Sequence, residues 1–295
     1  MPPNCPLAEV APGPAGSRSD PDIVGTMSTV VFVHAHPDDE AIATAGTMAG
    51  LAAEGHRVVM VTATAGELGE IPEGMLKDGE SLADRRALEL AEAGRLLGVA
   101  RQSFLGYHDS GMEGEEADQR PDSFARADVE EAASRLAKIL EEEAADVLVI
   151  YDEHGGYGHP DHVQVYTVGV RAGELAGTPR VFMATQDRGF IQSMWDHAAE
   201  VGDGEWSPPE EVNARIETMG EPSSRITTEI DVTKWIDAKR EAMRAHATQI
   251  SEDSFFLAMP PDIFELVWGR EWYIRIRPEV DNPFPGPRES SLLDG

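Results

Sequence analysis

Two tetrapeptides, His36-Pro-Asp-Asp39 and His159-Pro-Asp-His162, constrain this chain more than any other feature. Each follows a short apolar run, Val30-Val31-Phe32-Val33 before the first and Val147-Leu148-Val149-Ile150 before the second. Such runs, rich in β-branched residues and bounded by turn residues, read as strands buried on both faces of a parallel sheet. Each cassette also places two possible metal ligands three residues apart. Two of them at the ends of two buried strands look like the halves of one divided metal site, and a metal-dependent hydrolase is the leading reading.

Between residues 27 and 280 strand and helix patterns alternate. Strands are expected at about 29–35, 57–63, 102–105, 146–151 and 180–184. Helices are expected at about 40–54, from a capping box at Ser81 and Asp84 to Leu97, from Asp128 onward, and at 162–176. The apolar face of the Asp128 helix is Val129, Ala132, Ala133, Leu136, Ile139 and Leu140, at helical spacing. The region after 190 is less regular, with a strand at Arg225–Ile230, a helix at about 232–249 and a late strand at about 272–277. This alternation predicts an α/β, Rossmann-like fold, a largely parallel sheet with helices on both faces. In such a sheet ligands bind beyond the carboxyl ends of the strands, where strand order reverses. That point lies between the first and fourth strands, which carry the cassettes. The turn after strand one is His-Pro-Asp-Asp, with no G-x-G-x-x-G, so a dinucleotide pocket is disfavoured.

Residues 1–26, punctuated by Pro2, Pro3, Pro6, Pro12, Pro14 and Pro21, read as a disordered tail, and Met27 stands just before the first strand as an alternative start. Residues 281–295 read as a second tail, leaving one domain over 27–280. The only cysteine, Cys5, offers no disulfide or thiolate cage, so any metal must be held by His, Asp or Glu. No apolar run approaches the roughly 20 residues of a membrane span, and no secretory signal is visible, so a cytoplasmic location is expected. Asp and Glu total 54 against 24 Lys and Arg, a formal charge of −30. Such a surface repels phosphate backbones and anionic lipid, which argues against nucleic-acid and membrane partners. It fits either a high-salt habitat or simply a well-solvated acidic surface. The sequence leaves oligomeric state open.

Pro37 suits the first turn of a helix; a helix starting there puts His36 and Asp39 one turn apart, facing one point. His162 fits best as a third ligand, since one member of the His159/His162 pair is taken to reach the metal. Three protein ligands leave a position for water, whose pKa on Zn²⁺ can fall to about 7. Asp38, next to a ligand without being one, is the choice for general base. His159 and Tyr157 are placed to stabilise an oxyanion or protonate a leaving amine, and Asp161 to orient and charge-stabilise His159. Weaker candidates are Glu67, which follows strand two and fits a place in the cleft, and Asp109 in His108-Asp109-Ser110-Gly111, which fits a substrate contact or equally a plain turn. Arg86 fits a substrate clamp or a helix-surface ion pair.

The residues Ala35-His36-Pro37-Asp38-Asp39-Glu40, with Gly156-Tyr157-Gly158-His159-Pro160-Asp161-His162, resemble the LmbE-like or PIG-L family of zinc-dependent de-N-acetylases. The resemblance runs from about Val30 to Ile276. It implies zinc on His36, Asp39 and His162, Asp38 as general base, His159 and Tyr157 assisting, and a Rossmann-like fold. It also implies sugar contacts from Arg86 and Asp109. Arg244-Ala245-His246-Ala247-Thr248-Gln249 is similar to the C-terminal helix of the family's mycothiol-pathway enzymes. Ser224–Thr228 and Phe255-Phe256 look closer to its mycothiol S-conjugate amidases.

The expectation is therefore a Zn²⁺-dependent amide hydrolase, with Fe²⁺ also suited to the ligand set. Its small-molecule substrate is an N-acetylglucosamine-type amino sugar, N-acetylglucosaminyl-inositol-like, or a thiol-conjugate amide. The non-enzyme alternative is a silent metal- or sugar-binding module, against which the presence of both a base and an acid argues. A phosphoesterase would call for two metals and more carboxylates.

Overall fold

A computed structural model describes residues 27–114, 120–201, 220–280 and 285–294. The expected tail 1–26, with Cys5, lies outside the described residues. Seven strands form one sheet in the order β3-β2-β1-β4-β5-β7-β6. They are β1 (Thr29–His34), β2 (Arg57–Thr64), β3 (Arg101–Tyr107), β4 (Val147–Tyr151), β5 (Arg180–Thr185), β6 (Thr228–Asp231) and β7 (Arg270–Arg277). The first five pair in parallel; β7 runs antiparallel to both β5 and β6. Strand order reverses at β1 and β4, which pair directly with Val30 opposite Val147. This is the reversal the alternating pattern predicts.

Alternate side chains of each central strand feed opposite cores, because successive Cβ atoms point to opposite faces. Val31, Val33, Val59, Val61, Leu148 and Ile150 meet helices α4 (Val129–Glu142) and α6 (Pro160–Ala176) on one side. Val30, Phe32, Val58, Met60, Val147 and Val149 face the other. That side is covered by α2 (Ala45–Ala53), α3 (Leu82–Leu96), α8 (Ile236–Ala245) and α9 (Pro261–Trp268). Three further helices are α1 (Asp39–Ala43), α5 (Gly155–Gly158) and α7 (Arg188–Val201). The caps fall where expected: Ser81 Oγ accepts from the Asp84 amide at 3.1 Å and Asp128 Oδ1 from that of Glu131 at 2.9 Å.

Several boundaries differ from expectation. The helix expected over 40–54 is two, broken at Thr44. The Thr44 hydroxyl lies 3.1 Å from His34 Nε2, and Glu271 from β7 accepts the Gly46 and Thr47 amides at 2.9 Å each, giving α2 its own start. The helix expected over 232–249 is shortened to α8 by a 3₁₀ turn at Thr233–Trp235. Helices α7 and α9 occupy a region that sequence periodicity left irregular. Residues 288–294, in the stretch read as a tail, pack onto the β6 edge. There Glu289 pairs its backbone with Thr227 and Glu229, Arg288 bridges Asp187 and Glu229, and Leu292 is fully buried. Among the described residues no helix is long and apolar enough to cross a membrane.

Candidate metal centre

Both cassettes sit at the carboxyl ends of β1 and β4 and converge. The nitrogens of His36, His159 and His162 lie within 4.8 Å of one another, and all three residues are buried. Asp39 lies between two of the imidazoles, with Oδ2 at 3.5 Å from His36 Nδ1 and Oδ1 at 3.3 Å from His162 Nε2.

Local backbone chemistry sets this arrangement. The first cassette differs from expectation in that α1 begins at Asp39 and not at Pro37. His36 and Asp39 face one another because the His36 amide donates to Asp39 Oδ2 at 2.8 Å. Asp38 then takes a left-handed conformation, φ 119°, which an L side chain with a Cβ disfavours. Three contacts hold it there. Its amide donates to Glu40 Oε2 at 3.1 Å, Arg86 Nη2 lies 3.2 Å from its carboxylate, and the same nitrogen donates to the Pro37 carbonyl. Glu40 in turn meets His246 Nε2 at 2.5 Å, both fully buried.

In the second cassette α6 starts at Pro160, two residues earlier than expected, because His159 is its N-cap and accepts the Asp161 amide on Nδ1 at 3.1 Å. Gly155 has φ +64°, and a Cβ there would meet His162 Cβ at 2.6 Å and the Val163 amide nitrogen at 2.7 Å. The Tyr151 ring stacks on His162 with centroids 4.5 Å apart. Tyr157, about half exposed, stands edge-on to His162 at 4.9 Å and to His159 at 6.1 Å.

The expected role of Asp161 is corrected in one half only. Its carboxylate is not hydrogen-bonded to His159 but accepts the Ser110 amide at 3.0 Å and the Ser110 hydroxyl, with Oδ2 3.1 Å from His36 Nε2, while its charge still favours protonation of His159 as expected. Arg86 is neither an open clamp nor a surface ion pair: it is 3% exposed, with Nη1 donating to the Gly66 carbonyl at 2.6 Å and Nη2 turned to Asp38. Asp109 is buried beside the cluster, with Oδ1 at 3.5 Å from His36 Nε2. Glu67 accepts the Asp109 amide at 3.2 Å and lies 2.8 Å from His108 Nδ1, while its Oε2 has no hydrogen-bond partner. Ser110, Glu40, His246 and Tyr151 acquire their places in the site only from the structure. The sequence shows their identity but not the long-range pairings that bring them here.

The electrostatics follow. Burial pushes the Asp38 carboxyl up to about 6 against the pull of Arg86. Burial opposes charge on His36, yet hydrogen bonds to Asp109, Asp161 and Asp39 raise it well above its usual value. Burial, with His36 and His162 alongside, lowers His159 to about 4. Three carboxylates around one buried imidazole make a well for positive charge. His162 Nε2 is buried with no well-formed hydrogen bond, and only Asp39 Oδ1, 3.3 Å away, stands beside it. Imidazole and carboxylate together are the donor set of Zn²⁺. The residues therefore fit a divalent metal ion. A separate cluster of Glu153, His154 and Glu221 is already bridged by Arg225 Nη1, at 2.7 and 2.8 Å from the two carboxylates.

Comparison with known proteins bears on the family. The family model described as "PIG-L: GlcNAc-PI de-N-acetylase" matches residues 31–173. A 1D-myo-inositol 2-acetamido-2-deoxy-alpha-D-glucopyranoside deacetylase of Catenulispora acidiphila is 41% identical, over 90% of this chain and 88% of that protein. A deacetylase of the same description from Nocardiopsis dassonvillei is 40% identical, over 90% of this chain and all of that one. The conserved protein TT1542 from Thermus thermophilus shares the fold, with TM-score 0.56 at 20% identity, over 88% of this chain and all of that one. The chain belongs to the PIG-L family of GlcNAc-PI de-N-acetylases.

Proposed function

We propose that this protein is a Zn²⁺-dependent N-deacetylase of an N-acetylglucosaminyl-inositol-like amino sugar, acting in the cytoplasm without nucleic-acid or membrane partners. The observation that carries the reading is the convergence of His36, Asp39 and His162 beside Asp38 and His159. The two relatives at about 40% identity support the amino-sugar substrate.

His36, Asp39 and His162 would hold the metal. His159 is set apart from the ligands because its Nδ1 already accepts the Asp161 amide. The neutral ring then carries its proton on Nε2 and is a donor there. When bound, the metal supplies Lewis acidity at the acetamide carbonyl and makes water more acidic. Asp38 removes the proton from the attacking water. A carboxyl near 6 is ionised at neutral pH yet basic enough for this task. His159 Nε2–H donates to the oxyanion, with the Tyr157 hydroxyl assisting from the rim. As the C–N bond breaks, the proton held by Asp38 passes to the departing amine, giving acetate and the free amino sugar. Arg86 serves the base and not the sugar. Asp109 and Glu67 form the adjoining wall, with Glu67 holding the Asp109 amide.

The test is acetate release from N-acetylglucosaminyl-inositol, compared with cleavage of a thiol-conjugate amide. Wild type should release acetate, chelation should abolish turnover, and Asp38→Asn should lower kcat by roughly 100-fold or more. Full activity in Asp38→Asn removes the base assignment, and preferential cleavage of the conjugate moves the protein to the amidase reading.

A further inference from the structure

The carboxylate of Asp161 is spoken for in a way the two cassettes do not advertise. Asp161 and Ser110 are both fully buried. Ser110 donates to Asp161 twice, from its hydroxyl to Oδ1 and from its amide to Oδ2 at 3.0 Å. The Ser110 hydroxyl accepts in turn from the Ala125 amide at 2.9 Å. Asp161 Oδ2 then stands 3.1 Å from His36 Nε2. Asp109 Oδ1 is farther from that nitrogen, at 3.5 Å, and is tied by the Gly111 amide.

We propose that Ser110 and Asp161 form a positioning pair for the metal ligand His36, reaching the first cassette from the second through the loop after β3. This deepens the metal reading above and rests on it. A neutral imidazole has one proton. With Nε2–H donated to Asp161, the lone pair lies on Nδ1, the nitrogen that faces Asp39. A carboxylate on the far nitrogen also makes the near one a better donor. Serine suits its place because one small hydroxyl donates to Asp161 while accepting the Ala125 amide. Alanine there would leave Asp161 Oδ1 and the Ala125 amide without these buried partners, while the backbone amide of residue 110 still donates to Oδ2. Asp161 thus acts on the metal through His36; its hold on His159 is by charge alone, since His159 Nδ1 is occupied by a backbone amide.

The experiment measures Zn²⁺ dissociation constants by chelator competition for the full chain, for Asp161→Asn, for Ser110→Ala and for the double variant. Circular dichroism of each metal-free protein reports folding. Asp161→Asn should weaken Zn²⁺ binding roughly 10- to 100-fold, and Ser110→Ala should weaken it by less. The double variant should be no worse than Asp161→Asn, because Ser110 works through Asp161. Wild-type affinity in Asp161→Asn, or losses that simply multiply, overturns the proposal. If Asp161→Asn does not fold, Ser110→Ala decides, and an unchanged affinity overturns the proposal. Wild type that fails to bind one Zn²⁺ would instead overturn the metal reading itself.

Discussion

Asp38 combines two unfavourable conditions, a left-handed backbone and a carboxylate largely withdrawn from solvent, and its neighbours account for both. A non-glycine residue in that region costs about 1–3 kcal/mol and persists only where its surroundings enforce it. Here the enforcers are Glu40 on the amide and Arg86 on the carboxylate and the Pro37 carbonyl. The raised pKa has a definite sign. Folding favours the protonated carboxyl, so this group's contribution to stability is present in full below its unfolded value. It is lost as pH rises through about 6. The reaction needs the ionised form, so kcat/KM should fall on the acidic side as Asp38 takes up a proton. Arg86 holds the value down. In Arg86→Gln the acidic limb of the pH–rate profile should therefore move to higher pH, with a lower plateau. A limb that stays in place would show that Arg86 does not act on the base. The spacing of His36, Asp38 and Asp39 was readable from the sequence. The grip of Arg86 was not, because its partners lie 20 and 49 positions away.

The elements that carry the cassettes were legible where their causes are local. Unbroken apolar runs gave β1 and β4; side-chain caps gave the starts of α3 and α4. The split between α1 and α2 was illegible because its cause arrives from β7. Glu271 caps α2 and pairs with Lys239 of α8 at 2.6 Å, both side chains at most 2% exposed. Removing one partner of such a pair leaves an uncompensated buried charge. Glu271→Leu should therefore destabilise by about 3–5 kcal/mol, and Glu271→Leu with Lys239→Met by clearly less. Urea unfolding of the metal-free variants measures both, and equal losses would mean that capping of α2, not the charge pair, dominates. Gly155 makes a second case, where its missing Cβ lets the turn after β4 lie against the start of α6. Gly155→Ala should lower the thermal midpoint and weaken Zn²⁺ binding together, since the displaced residue is His162. A loss of stability with unchanged metal affinity would separate the turn from the site.

At the scale of the whole molecule, strand alternation sufficed to locate the cleft, because the reversal of order between β1 and β4 follows from right-handed crossovers. The antiparallel edge of β7 and β6 was less legible, since α7 and α9 lack clear periodic signatures and residues 288–294 contribute to that edge from the end of the chain. Net charge belongs to this scale too. If every Lys and Arg were paired with an acid, 54 − 24 = 30 acids would still lack a basic partner. Ion pairs such as Arg95–Glu92 and Arg171–Glu130 are weakened by salt. Exposed pairs of this kind each contribute only about 0–1 kcal/mol, however, whereas the excess acids repel one another over the entire surface. At 0.15 M ionic strength the screening length is about 8 Å, and at 1 M about 3 Å, so added salt removes more repulsion than attraction. The urea midpoint of the metal-free protein should therefore rise as NaCl is increased from about 0.01 M to 1 M, with little change in the slope of the transition. A midpoint that falls over that range would mean that the ion pairs outweigh the surplus charge, and that the acidic surface is not what limits the stability of this fold at low salt.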